Sequence, residues 1–160
     1  MAYIGFTKTD LPYGWLGNMF AAPINYDEKK WLTSEALFQA LRYDDRIIRE
    51  QIRREKSPMG AKMISKKTEN RELMVVKPMS ERDLENMRIC LRLKFTQHPA
   101  LREKLLKTGD HVIFEDVARR NGTRHRFWGA VRVGDRLEGE NMLGKLLMEL
   151  REEIRREETR

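Results

Sequence analysis

One cysteine in 160 residues, Cys90, leaves no partner for an internal disulfide. Its neighbours have the spacing of a helix core, so it reads as a buried, inert thiol, and a reducing cytoplasm is the expected location. Histidine is nearly as scarce. His98, His111 and His125 are scattered, without the spacing of a metal site, so no metal and no other cofactor is expected. No glycine-rich phosphate loop occurs. No apolar run approaches the length of a membrane span. Met1–Phe6 lacks the basic start and long apolar stretch of a secretory signal. Disulfide scaffolds, membrane channels and P-loop enzymes are thereby set aside.

Charge and aliphatic residues are abundant. A hydrophobic share of 40% suits a folded chain rather than a disordered one. At this length a single domain spanning 1–160 with a sizeable core is expected. Lys and Arg number 32 against 25 Asp and Glu, a net charge of +7. That excess favours an anionic partner, either nucleic acid or a phosphorylated metabolite.

In chain order, Tyr3, Ile4 and Phe6 suggest a short strand, and Ala22–Tyr26 a second, with Asp27–Lys30 as a polar turn. Asp44-Asp45 opens a helix with an apolar stripe of Ile47, Ile48 and Ile52. Ser57-Pro58 places a capping serine before a proline at the first helical position. Lys66–Asn70 reads as a polar loop. Ser80 and Asp83 form a shortened capping box for a helix whose apolar face is Leu84, Met87, Leu91 and Phe95. A further helix carries Leu101, Leu105 and Leu106 and stops near Gly109. Val112–Phe114 is β-like. Asn121-Gly122 signals a hairpin turn, with Phe127–Val131 as the return strand and Gly134–Gly139 as a loop. Asn141 is placed to cap a last helix that buries Leu143, Leu146, Leu147 and Leu150, and residues 151–160 read as a frayed tail. The sum is an α+β, mainly helical single domain with a small β-sheet.

The organising stretch is Trp31–Tyr43. Thr33 or Ser34 can cap a helix in which Leu37, Ala40 and Leu41 share a face. Glu35 falls in its first turn, where the helix dipole favours negative charge. On spacing alone Glu35 is an ordinary helix-start residue.

Several blocks together resemble one family. Leu16-Gly17-Asn18-Met19-Phe20-Ala21-Ala22-Pro23-Ile24 is similar to LSNFYPxPI, and Trp31–Ala40 to WPTxEHYFQA. Ser57–Lys62 is similar to SPxxAK. Met87–Phe95 followed by Gln97-His98-Pro99 and Leu101 resembles MxxxLxxKFxQHPxL. Leu105–Gly109 resembles LLxTG, and Phe127-Trp128-Gly129 with Asn141–Met148 resembles YWG…NxLGxLLM. In this order they cover nearly the whole chain, and they identify it as resembling the NADAR, or YbiA-like, family of N-glycosidases.

The resemblance implies the family's α+β fold and hydrolysis of a ribose C1′–N bond. Glu35 matches the proposed catalytic glutamate, which stabilises charge at C1′ or activates water, as in glycoside hydrolysis. Lys62 matches a lysine near the sugar, able to hold a phosphate or to attack the opened aldehyde. Asn18, Phe20, Trp31 and Gln39, with Arg42, Trp128 and Asn141, are the implied substrate-binding residues. The pattern also departs from the family. Ala36 stands where the family has histidine, Arg42 where it has lysine, Met79 where spacing places a tryptophan, and His125 where spacing places an aspartate. His125 can take over that acid–base role.

The altered site, the net charge and Arg119, Arg120, Arg124 and Arg126 favour removal of ADP-ribose from guanine in DNA. That would be an antitoxin-like role, functionally paired with a guanine ADP-ribosyltransferase toxin. Hydrolysis of phosphorylated ribosylamino-pyrimidine intermediates of riboflavin synthesis is the alternative. A module that binds ADP-ribose or modified DNA without turnover is the alternative outside the enzymes.

Overall fold

The computed structural model describes residues 1–120, 122 and 125–160, so the hairpin turn read at Asn121 and the nucleic-acid-binding role read at Arg124 lie outside the described residues. The fold is α+β and mainly helical, and the contacts divide it into two units, residues 18–98 and residues 1–17 with 99–160.

In the first of these, β2 (Ile24–Tyr26) and β3 (Lys29–Trp31) form an antiparallel hairpin pairing Ile24 with Trp31. Its turn is Asp27-Glu28, both at positive φ (52° and 61°), the geometry that matches strand twist in a two-residue hairpin. The polar turn is thus two residues long, and Lys29-Lys30 already belong to the strand. Helix α1 (Ser34–Ala40) follows, and every one of its residues is buried. The expected one-sided apolar stripe is therefore incomplete. α1 is touched by α2 (Arg46–Arg54), α3 (Pro58–Ser65), α5 (Glu81–Gln97) and β3, and a helix covered on all sides buries its polar residues too.

The caps follow the sequence. Thr33 Oγ1 accepts from Ala36 N at 3.1 Å, Asp45 from Ile47 and Ile48 N, and Ser57 Oγ from Gly60 N at 2.9 Å. Ile47 departs from its expected place, being 71% exposed while Ile48 and Ile52 are buried. The polar stretch after Lys66 contains a single helical turn, α4 (Thr68–Arg71). Gln97 acts as a surrogate strand for β2: its Oε1 accepts from Asn25 N at 2.8 Å and its Nε2 donates to Asn25 O at 2.9 Å.

In the other unit, β1 (Tyr3–Phe6) pairs in parallel with β4 (Val112–Glu115), Ile4 opposite Ile113. Helix α8 (Met142–Glu158) lies on β4, and α6 (Pro99–Lys107) and the one-turn α7 (His125–Trp128) contact α8. Gly144 allows this approach, since a Cβ there would stand 2.1 Å from Ile113 O. The sequence placed a strand at Phe127–Val131. The chain instead turns helical at His125–Trp128, and the hairpin is β5 (Val131–Val133) with β6 (Arg136–Glu138), turning at Gly134-Asp135. Residues 151–158 are also more ordered than a frayed tail. α8 runs through Glu158, Ile154 is buried, and Arg151 Nη1 donates to Thr108 Oγ1 and His111 O, both at 2.9 Å. Among the described residues no helix is long and apolar enough to cross a membrane.

Candidate active site

Glu35 sits in the first turn of α1 and is only 8% exposed. Its backbone N–H donates to Asn18 O at 3.1 Å, and Ser34 Oγ donates to Asn18 Oδ1 at 2.9 Å. Asn18 Nδ2 in turn points at the Met87 sulfur, 3.1 Å away. Asn18 therefore holds the α1 N-terminus through its backbone carbonyl and Oδ1, and reaches α5 through Nδ2. Gln39, one turn on, donates Nε2 to Glu35 Oε1 at 3.0 Å. Oε2 accepts from no protein group among the described residues and is not among the sealed, unsatisfied atoms, so it is left for solvent or a ligand.

A second buried carboxylate lies in the same unit. Asp83, at the start of α5, accepts from Arg42 Nε at 2.9 Å, from Arg42 Nη2 at 2.8 Å and from Met79 N at 2.9 Å. The capping box is thereby half realised. Ser80 Oγ accepts from Asp83 N at 3.4 Å, while the Asp83 carboxylate turns to Met79 and Arg42 rather than back to Ser80. Arg42 also stacks on Phe38, with Cζ 4.7 Å from the ring centroid.

Lys94 is the group that sequence reasoning missed. It is fully buried, its ammonium 5.7 Å from the Phe20 centroid and 5.2 Å from that of Phe95. Burial pulls its pKa down from 10.5 to about 7. The signal was present in the sequence: Lys94 lies seven residues after Met87, on the same apolar stripe as Leu91 and Phe95. Cys90, one turn before it, is buried as expected. Burial, with the Glu35 and Asp83 carboxylates, pushes its thiol pKa well up.

The other residues of this unit are placed as follows. Phe20 is half-buried. Trp31 is 4% exposed and donates Nε1 to Tyr26 O at 3.4 Å. Lys62 is half-buried on α3, and its ammonium has no ion pair or side-chain hydrogen bond among the described residues.

The other unit holds the remaining candidates. His125 and Trp128 are half-buried on α7, where Trp128 packs edge-on against Phe127 with centroids 5.1 Å apart. Arg119, Arg120 and Arg126 are exposed, and Arg126 lies 3.9 Å from Glu138. Asn141 occupies the cap position of α8, yet makes no side-chain capping hydrogen bond. Its backbone is left-handed (φ 51°), and its Nδ2 reaches across to Ile113 O at 2.9 Å, which leaves Oδ1 buried and unpaired. The expected cap is replaced by a tie to β4.

The chain is similar to known proteins over nearly its whole length. The NADAR domain family profile matches residues 5–155. The chain is 39% identical to a Shigella boydii protein named N-glycosidase YbiA, over 94% of this chain and 88% of that one. An N-glycosidase of Nostoc punctiforme is 34% identical over 95% of this chain and 92% of its own length. A riboflavin biosynthesis protein of Vibrio vulnificus is 30% identical over 94% of this chain but only 38% of its own. Among solved structures, the NMR structure of Escherichia coli YbiA superimposes with a TM-score of 0.80 at 37% identity, covering 99% of this chain and 88% of that one. With a buried, oriented glutamate at the head of α1 and matches that span nearly its whole length, the chain belongs to the NADAR family.

Proposed function

We propose that this protein is an N-glycosidase that hydrolyses a ribose C1′–N bond, with ADP-ribose attached to guanine in DNA as its substrate. The observation that carries the chemistry is Glu35, a buried carboxylate with one oxygen held by Gln39 and the other left open. The names of relatives that match over most of their length support the glycosidase reading.

The chemistry needs few groups. As the base nitrogen departs with the bonding pair, positive charge grows at C1′ and the ring oxygen. The Glu35 carboxylate stabilises it, or takes a proton from the water that attacks C1′. The base leaves carrying a proton, and the sugar leaves with a new anomeric hydroxyl. Lys62, whose ammonium is uncommitted among the described residues, suits a phosphate of the ADP-ribose. The family resemblance assigns His125 to acid–base work and Trp128 to stacking. The DNA substrate is favoured by the net charge of +7 and by exposed Arg119, Arg120 and Arg126.

The name of the Vibrio relative favours a second reading, hydrolysis of a phosphorylated ribosylamino-pyrimidine in riboflavin synthesis. The test is release of ADP-ribose from a guanine-ADP-ribosylated DNA oligonucleotide, with Glu35→Gln alongside. Release that depends on Glu35 supports the DNA substrate. Release only from the ribosylamino-pyrimidine phosphate replaces it with the metabolic one. Binding without turnover of either replaces both with a recognition module.

A further inference from the structure

Gln39 is 3% exposed, and its amide lies between two charged groups of opposite sign. Its Nε2 donates to Glu35 Oε1 at 3.0 Å, and Arg42 Nη1 reaches its Oε1 at 3.5 Å. An amide has a donor end and an acceptor end. Rotated by half a turn, Gln39 would present its oxygen to the Glu35 carboxylate and its NH2 to the guanidinium, losing both contacts. Arg42 therefore reinforces the end that Glu35 meets. Arg42 itself has little freedom. Two of its nitrogens are held by Asp83, whose side chain is fully buried and further fixed by Met79 N, and its plane rests on Phe38. The line Asp83–Arg42–Gln39–Glu35 thus joins the start of α5 to the first turn of α1.

We propose that Arg42, anchored by Asp83, is a positioning residue that holds Glu35 in its working orientation through the side-chain amide of Gln39. This rests on Glu35 being the reacting carboxylate. It moves Arg42 from gripping substrate to aiming the glutamate, and adds Asp83, which the sequence marked only as a capping residue. The fork geometry matters more than the charge. A lysine at position 42 can satisfy Asp83 as a point charge but cannot also span to Gln39 in the same plane.

The experiment compares the full-length protein with Arg42→Lys, Gln39→Leu and the double variant. It reads the 1H–15N signals of the Gln39 side-chain amide and the kinetics of glycosidase turnover. Arg42→Lys is expected to keep the fold, to remove the exchange protection of the Gln39 amide, and to lower kcat by about tenfold to a hundredfold. KM should stay within about twofold. In the Gln39→Leu background, Arg42→Lys should cost nothing more, since the amide through which it acts is gone. A raised KM at unchanged kcat would make Arg42 a substrate grip and overturn the proposal. Unaltered Gln39 amide signals, or an equal loss in the Gln39→Leu background, would overturn it as well. If Arg42→Lys does not fold, Asp83→Asn carries the same readouts with the same expected direction. If the wild-type protein turns over no N-riboside, the catalytic reading of Glu35 fails, while the amide signals still decide whether the line is coupled.

Discussion

Asp83 and Lys94 lie on the same helix, α5, and neither exposes any side-chain surface, but their surroundings treat charge in opposite ways. Asp83 is met by an opposite charge. A guanidinium meets it with two parallel hydrogen bonds and a backbone N–H adds a third. Lys94 is bordered by the faces of Phe20 and Phe95, and burial draws its amine toward the neutral form, with a pKa of about 7. A buried charge in a protein is either matched by partners or driven toward neutrality. On one helix, about three turns apart, Asp83 is paired with a guanidinium and Lys94 has its pKa lowered by burial.

The comparison breaks most readily at Asp83. Arg42→Ala leaves a buried carboxylate without its partner, and a loss of about 3–5 kcal/mol in urea unfolding at pH 7 is expected. A loss below about 1 kcal/mol would show that water or another group replaces the guanidinium. At Lys94 the sign depends on pH. The unfolded amine titrates at 10.5 and the folded one at about 7. Below pH 7 both states hold the proton, and the cost of burying it is fully present. Between 7 and 10.5 only the unfolded state holds it, so native stability rises with pH. Relative to Lys94→Met, the wild-type protein should gain about 2 kcal/mol between pH 7 and pH 9, measured by urea titrations at each pH. No change in the difference would mean that the buried amine stays charged.

Smaller effects mark the neutral and exposed limits of the same comparison. Thr33→Ala removes an uncharged cap from α1 and should cost about 1 kcal/mol in thermal unfolding. Glu50 pairs with Arg53 and Arg54 on the surface of α2, and the Arg53 hydrogen bond holds its carboxyl down at about 2, from 4.5. Its contribution is present above pH 4.5 and is lost as pH falls through 2. Solvent screening should keep Glu50→Gln within about 1 kcal/mol of wild type at pH 7.

Much of this was legible in the sequence. Thr33, Asp45, Ser57 and Ser80 announced their helices, because a cap is a contact between near neighbours. β1 and β4 were also visible as short apolar runs. The segment from His125 to Trp128 was not, since Phe-Trp-Gly-Ala-Val carries β-like composition and the turn is set by contacts with α8. Arg151 read as the start of a frayed tail, and only its ties to Thr108 and His111 reveal otherwise. At the candidate site, Glu35 was visible through its motif, whereas Arg42 and Asp83 pair across 41 residues of sequence and leave no local signature.

The parallel pairing of β1 with β4 bears on synthesis as well as on form. Residues 18–98 are contiguous and contain both Glu35 and the groups that orient it. β1 leaves the ribosome well before its hydrogen-bonding partner, which begins only at Val112. At ordinary elongation rates that interval is about 5–20 s. The nascent N-terminal strand must stay unpaired for all of it, with the apolar side chains of Ile4 and Phe6 lacking their final cover. The earlier-made strand of the pair is therefore among the last elements to find its place, and that delay is where chaperone capture or misassembly would act.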